Sequence, residues 1–325
     1  MVGAGFISNW HYEGFKAIPG AKIVGLCRDF YGVEEQRIQQ KERLEAKCRE
    51  FGVRCYNSFH EMVEDPELDA LLIGSINPYH YDQIQRALKN GKHVLAEKPV
   101  VTDIEQLRDL IILSKETGRI VFPGHNFVYR KAVKKAKEIL DSGKLGRLVH
   151  SSFIVSHTIG AGHAAGWRAV KAMGKGGALM DSGHHLVYQS LYLLGKPIKL
   201  HAFTSKMVLK NMECEDTAQV SMQYSDGSIA VIMQSWTSDH AKNINGIRIL
   251  GTLGEILISD ALYLNGEEIE KDTDYGDSFK NQARAFKDAV LNGQPPLSSL
   301  NDVEESLRII YASYESAEKD QLIHL

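Results

Sequence analysis

The stretch "GKHVLAEKPV", residues 91–100, decides how the first part of this chain is read. An apolar run from His93 to Ala96 stops at Glu97-Lys98-Pro99. Such a run reads as a buried strand. Lysine is rarely placed in a dry interior without a task. Proline donates nothing to a sheet ladder and restricts the residue before it to an extended shape. Lys98 is therefore expected to stand extended at the carboxyl edge of a strand. In open α/β sheets that edge is where ligands bind.

Working outward, the first ~125 residues alternate short apolar runs with helical patterns. Strands are expected at 22–27, 69–75, 92–99 and 119–124, and helices at 33–52, 79–91 and 103–118, the first two helices stopping at glycines. This rhythm predicts a doubly wound parallel sheet with helices on both faces. After residue 125 the rhythm changes. A helix at 128–142 leads into longer strand patterns at 148–157, 198–208, 216–236 and 246–259, and helices at 278–292 and 301–319 close the chain. Tyr224-Ser225-Asp226-Gly227-Ser228 carries an Asp-Gly hairpin signal. The expectation is α/β overall: a Rossmann-type domain over 1–125, then an α+β domain over 126–325 with a large, mostly antiparallel open sheet.

At 325 residues the chain is long enough for two cores. Net charge is −3 with the signs interspersed, which argues against a nucleic-acid footprint or a basic membrane face. No apolar stretch approaches the ~20 residues of a bilayer span. No charged region followed by an apolar core marks a secretory signal, so a cytoplasmic setting is expected. Cys27, Cys48, Cys55 and Cys214 form no CxxC pair and no metal-ligand spacing, and read as reduced thiols.

Two constellations carry chemistry. The first is "MVGAGFISNWH", where Gly3, Gly5 and Ser8 fit G-x-G-x-x-[GA] loosened at its third position. Its logic is a tight turn followed by close backbone approach to a pyrophosphate at a helix N-terminus. Arg28 and Asp29 follow about 20 residues on, where an acid holds a ribose diol and an arginine accepts a 2′-phosphate. The strand that should precede the glycine turn is reduced to Met1 and Val2. Either it is very short or residues ahead of it are missing. The second constellation is "GKGGALMDSGHHLVYQSLYLLG", 174–195. Asp181 and His185 are four apart, which on a helix places both on one face. A carboxylate beside an imidazole suits proton exchange with a hydroxyl. The plainer reading is a helix start with Asp181 as its cap. His184 points about 100° away on a helix and ranks below His185. A metal site from Asp181, His184 and His185 with His157 or His163 lacks a recognised ligand spacing, and none is expected.

With both motifs in view, the chain resembles the Gfo/Idh/MocA oxidoreductase family. The glycine turn, "NPYHYDQIQRALKNGKHVLAEKPV" (77–100), "WRAVKAMGKGGALMDSGHH" (167–185) and the segment 282–325 fall in the family's order. The resemblance implies a hydride transferred between NAD(H) or NADP(H), the former ahead, and a hydroxyl of a sugar, sugar derivative or cyclic polyol. It implies that the dinucleotide lies against Gly3, Gly5, Phe6, Ile7, Arg28, Asp29, Asn77, Pro78, Glu97 and Lys98. Lys98, Asp181 and His185 match the family's catalytic positions, and Asn126, Trp167 and Arg168 those that often line its substrate pocket. A homodimer or homotetramer is implied as well. The chain departs from the usual pattern at Asn77 (commonly Thr), Asp82 (often His), Tyr188 (often Asp) and Arg28 (usually acidic). Two rival activities fit the same fold: an enzyme that holds NAD tightly and oxidises a sugar transiently without net redox, and a dinucleotide or sugar sensor without catalysis.

Overall fold

The computed structural model describes residues 1–240, 243–271 and 274–325. The elements in chain order begin with α1 (Ile7–Lys16), β1 (Gly25–Leu26), α2 (Glu34–Phe51), β2 (Arg54–Cys55) and α3 (Phe59–Glu64). Next come β3 (Ala70–Ile73), α4 (Asn77–Lys89), β4 (His93–Glu97), α5 (Ile104–Thr117) and β5 (Val121–Gly124). A 3₁₀ turn at Asn126–Tyr129 precedes α6 (Lys131–Asp141), β6 (Leu148–Ser156), α7 (Ala161–Ala165), α8 (Lys171–Gly174) and α9 (Gly183–Leu194). Strands β7 (Lys199–Ser205), β8 (Thr217–Gln223), β9 (Ile229–Ser235), β10 (Gly246–Gly251), β11 (Glu255–Ile258), β12 (Ala261–Leu264) and β13 (Glu267–Lys271) follow. Helices α10 (Tyr275–Asn292) and α11 (Leu300–Lys319) and strand β14 (Ile323–His324) complete the chain.

The chain divides into two compact units, residues 1–126 with 275–300, and residues 127–274 with 301–325. In the first, β3, β4 and β5 pair in parallel, as do β1 and β2. Among the described residues Val2 alone joins these two sheets, bridging Cys27 on one side and Ile73 on the other. The helices stop where the sequence tells them to. Gly52 and Gly118 take left-handed φ of 64° and 63° after α2 and α5, which a side chain would resist. The Asp103 carboxylate caps α5 by accepting the Gln106 N–H at 2.9 Å. Leu71, Ile73, Val94, Leu95, Ala96 and Phe122 are buried. Their near-continuous apolar runs follow from burial on both faces of a parallel sheet. Helix α10 belongs to this unit because its aromatic face meets α1. Phe286 stands edge-on to Phe15 and Phe122, and Phe279 stacks with Trp10.

The second unit is built on a sheet that, among the described residues, has nine strands in the order β13-β12-β11-β10-β6-β9-β8-β7-β14. Its neighbours are antiparallel except β6 and β9. Alternation decides which face is covered: Ala218, Val220 and Met222 of β8 are buried while Gln219 and Ser221 between them are exposed. The Asp-Gly signal makes the expected β8–β9 hairpin, with Gly227 at φ 88° and the Asp226 carboxylate accepting from Ser228 N–H at 2.9 Å.

Candidate active site

In the first unit the glycine turn is shaped by contact rather than by chance. Gly3 has φ +100°, and a Cβ there would stand 2.3 Å from the Gly74 carbonyl oxygen. No side chain is tolerated at that position. At Gly5 a Cβ would meet nothing within 4 Å, so the backbone is open to close approach. Ser8, the loosened third position, folds back and donates its hydroxyl to the Gly5 carbonyl at 2.5 Å. Phe6 is exposed and Ile7 opens α1, whose first N–H groups carry the positive end of the helix dipole. Asn77 and Pro78 open α4 at the end of β3, the first buried and the second exposed. These features fit the phosphates of a dinucleotide: an unobstructed backbone and helix N-termini at strand ends.

Arg28 and Asp29 follow the end of β1. The Gln83 side-chain amide donates to Asp29 Oδ2, and the Ser75 hydroxyl donates to Gln83 Oε1 at 2.6 Å. Partial burial raises the Asp29 carboxyl above its ordinary range, against the Gln83 bond that lowers it. The Arg28 guanidinium lies 5.9 Å from the Tyr31 ring, and burial lowers its pKa.

Glu97, the last residue of β4, places Oε1 2.6 Å from His11 Nε2, both groups being buried. This pair ties the Glu-Lys-Pro strand end to α1. The Lys98–Pro99 peptide is cis, and Lys98 is half-buried. The following backbone is held from below by His80. Its Nδ1 lies 3.0 Å from Pro99 O, and its Nε2 lies 3.1 Å from Ser75 O. Asn126 donates its amide to Ser278 Oγ at 2.9 Å.

The second unit holds the other candidates. Helix α9 starts at Gly183, so Asp181 sits in the turn before it. Asp181 lies outside α9, so the four-residue spacing does not place it on a helical face with His185, and the plainer reading of Asp181 as the cap is corrected by one residue, because Ser182 holds that position. Asp181 Oδ2 accepts from Arg168 Nε at 2.6 Å, with His163 Nε2 at 3.3 Å. The Arg168 guanidinium in turn lies 4.2 Å from the Trp167 ring. His185 is half-buried, whereas His184 is fully buried. His185 Nδ1 lies 2.6 Å from the Tyr188 hydroxyl, which also accepts the Phe127 N–H at 3.2 Å. The Phe127 ring stacks on the imidazole at 4.5 Å. Burial lowers the pKa of His157 nearby in sequence. Among the described residues no group of three or more His, Cys, Asp or Glu side chains is placed to hold a metal ion. No described helix is long and apolar enough to cross a membrane.

Sequence reasoning missed Tyr188, His11, Gln83 and His80. Only Tyr188 carried a signal, since it stands where the resemblance expects an aspartate. The others contact residues 54, 86, 5, 19 and 20 positions away, which no local pattern reveals.

Residues 1–125 match the family model described as "Oxidoreductase family, NAD-binding Rossmann fold", and residues 133–257 match the GFO/IDH/MocA C-terminal domain. The chain is 26% identical over 343 residues to a myo-inositol 2-dehydrogenase of Thermotoga maritima, covering 100% of this chain and 97% of that protein. It is 25% identical over 334 residues to a scyllo-inositol 2-dehydrogenase (NAD(+)) of Bacillus subtilis, covering 97% and 92%. In fold it is similar to levoglucosan dehydrogenase solved with NADH and levoglucosan, at a TM-score of 0.85, 19% identity and coverage of 100% and 97%.

Proposed function

The chain belongs to the Gfo/Idh/MocA family of NAD-binding oxidoreductases, and from that premise we propose that it interconverts a ring hydroxyl and a carbonyl on a cyclic polyol or sugar. The observation that carries this reading is the His185 imidazole, half-buried, with Nδ1 engaged by Tyr188 and its ring stacked on Phe127. Such a ring is fixed in orientation, as a proton-transfer group must be. The relatives named as inositol dehydrogenases support the substrate class.

A nicotinamide dinucleotide, when bound, would supply the hydride chemistry. His185 takes the substrate's hydroxyl proton in oxidation and returns it in reduction. The Lys98 ammonium stabilises negative charge developing on that oxygen. Asp181, held by Arg168, is assigned the task of fixing the loop ahead of α9 and orienting a neighbouring substrate hydroxyl. Trp167 and Asn126 are assigned to the substrate's ring and hydroxyls. NAD(H) is preferred over NADP(H) because Gln83 holds Asp29 in place as a diol acceptor. Cytoplasmic location and a homodimer or homotetramer complete the proposal.

The test is a pair of variants, Lys98→Met and His185→Gln, assayed for NADH formation with cyclic polyols. Each should lose about 10²–10⁴-fold in turnover. Dinucleotide affinity, read by NADH fluorescence, should stay near that of the parent. Turnover retained in either variant removes that residue from the mechanism.

A further inference from the structure

No step of the proposed reaction uses the segment Glu213-Cys214-Glu215-Asp216, which leads into β8 of the second unit. The segment is fixed to the sheet. Asp216 N–H donates to Ser205 O and Trp236 N–H to Asp216 O, both at 2.9 Å. From this base it binds the two stretches that carry Arg168 and Asp181. On the Arg168 side, Glu213 N–H donates to Ala169 O at 2.8 Å, and the Glu213 carboxylate accepts the Lys171 N–H at 2.7 Å. On the Asp181 side, Ala178 N–H donates to Glu215 O at 3.0 Å. The Glu215 carboxylate accepts the Gly177 N–H at 3.0 Å on one oxygen and the Leu179 N–H at 2.9 Å on the other. The Tyr314 hydroxyl donates a third bond at 2.9 Å.

The stretch ahead of Asp181 is built for this contact. A Cβ at Gly177 would fall on the Glu215 carbonyl oxygen, and one at Gly176 on the Tyr314 hydroxyl. Asp181 N–H then donates to Gly177 O at 3.1 Å, so the carboxylate that meets Arg168 follows directly from the docked glycine. Ala169, Ala178, Met212 and Trp236 pack into one buried cluster that joins the two stretches, and Trp236 Nε1 donates to Ser182 Oγ at 2.8 Å. A carboxylate suits position 215 because it accepts on both oxygens. An amide of the same shape would turn an NH2 group toward an N–H donor. We propose that Glu215 is a positioning residue for Asp181, docking residues 177–179 so that the Asp181 carboxylate sits 2.6 Å from Arg168 Nε. The inference rests on the reading above in which Asp181 orients a substrate hydroxyl.

The test uses the full chain, with Glu215→Gln and Tyr314→Phe each made alone and together with Asp181→Asn. The first readout needs no substrate: hydrogen exchange of the Arg168 Nε–H, followed by NMR. It should quicken by about tenfold or more in Glu215→Gln, while amides of the β8–β9 hairpin keep their rates. The second readout is turnover of a cyclic polyol with NAD+. Glu215→Gln should lower kcat/KM by about tenfold or more, with NADH affinity by fluorescence unchanged. The same change should cost less than about twofold once Asp181 is already Asn, because a residue that acts through another is not additive with it. Tyr314→Phe removes one donor and spares the loop's own bonds. It should move both readouts the same way by less, and it carries the test if Glu215→Gln does not fold. Arg168 exchange that does not quicken, or equal losses of kcat/KM with and without Asp181, would overturn the proposal. Quickened Arg168 exchange in a protein whose parent turns over no polyol would uphold Glu215's hold on Asp181 and contradict the reaction instead.

Discussion

At the scale of single residues, the site turns on which partner holds which ionisable group. A tyrosine at 188 gives His185 Nδ1 a neutral oxygen rather than a carboxylate. A carboxylate would favour the imidazolium and raise the pKa of the base, whereas a phenol does so weakly. Tyr188→Phe should leave KM for the substrate nearly unchanged and lower kcat by about tenfold or more, because the ring loses its orientation. Tyr188→Asp should shift the limb of the pH–rate profile that reports His185 to higher pH. An unmoved limb in Tyr188→Asp would show that His185 is not the titrating base. In the proposed site, cofactor choice is assigned to a similar chain of contacts, Ser75 to Gln83 to Asp29. Asp29→Ser removes the diol acceptor and leaves Arg28 beside it. Affinity for NADPH relative to NADH, read by fluorescence titration, should rise by about tenfold or more. Unchanged relative affinity would take Asp29 out of the ribose contact.

At the scale of elements, the strand end at β4 is anchored from two directions. Glu97 grips His11 of α1, and His80 of α4 sits against the carbonyls of Pro99 and Val100. A neutral His80 has one N–H for carbonyls on two sides. Protonation would add a second bond, but complete burial opposes the charge and lowers the pKa below its ordinary 6.5. The folded state therefore binds this proton less readily than the unfolded state. Its contribution to stability is present above the ordinary imidazole range and is lost as pH falls through it. His80→Gln should flatten the fall in stability below about pH 6.5, measured by urea unfolding across pH. A slope equal to that of the parent would assign the acid sensitivity elsewhere. Elements also show what the sequence made legible. Helices α2, α4 and α5 have strong stop signals and appear within two residues of expectation. Strand β1 is shorter than expected, because Gly25–Leu26 finds a sheet partner on one side while Val2 reaches only Cys27 on the other. Hairpin β12–β13 turns at Asn265-Gly266, where both residues take the positive φ, 53° and 85°, that such a turn needs. The short β2, α3 and β14 have too few residues for periodicity to register.

At the scale of the whole molecule, the parallel-then-antiparallel order of the chain was visible in its changing rhythm. The return of α10 to the first unit was not. Its amphipathic face says that it packs, and only the Phe279 and Phe286 contacts say against what. The same distinction holds for the candidate site. Lysine, histidine and aspartate could be found from motif and order, but Asp181's bond to Arg168 and His185's to Tyr188 required coordinates. The measurement that tests the account most directly is the stoichiometry of turnover. The purified protein, first cleared of any retained dinucleotide, is incubated with NAD+ and a panel of cyclic polyols and sugars, and NADH and ketone or lactone are quantified together. The account predicts that at least one cyclic polyol or sugar yields the two products in equal amounts. Product formed without NADH, or a dinucleotide that cannot be exchanged, would contradict net hydride transfer and favour transient oxidation on a retained cofactor.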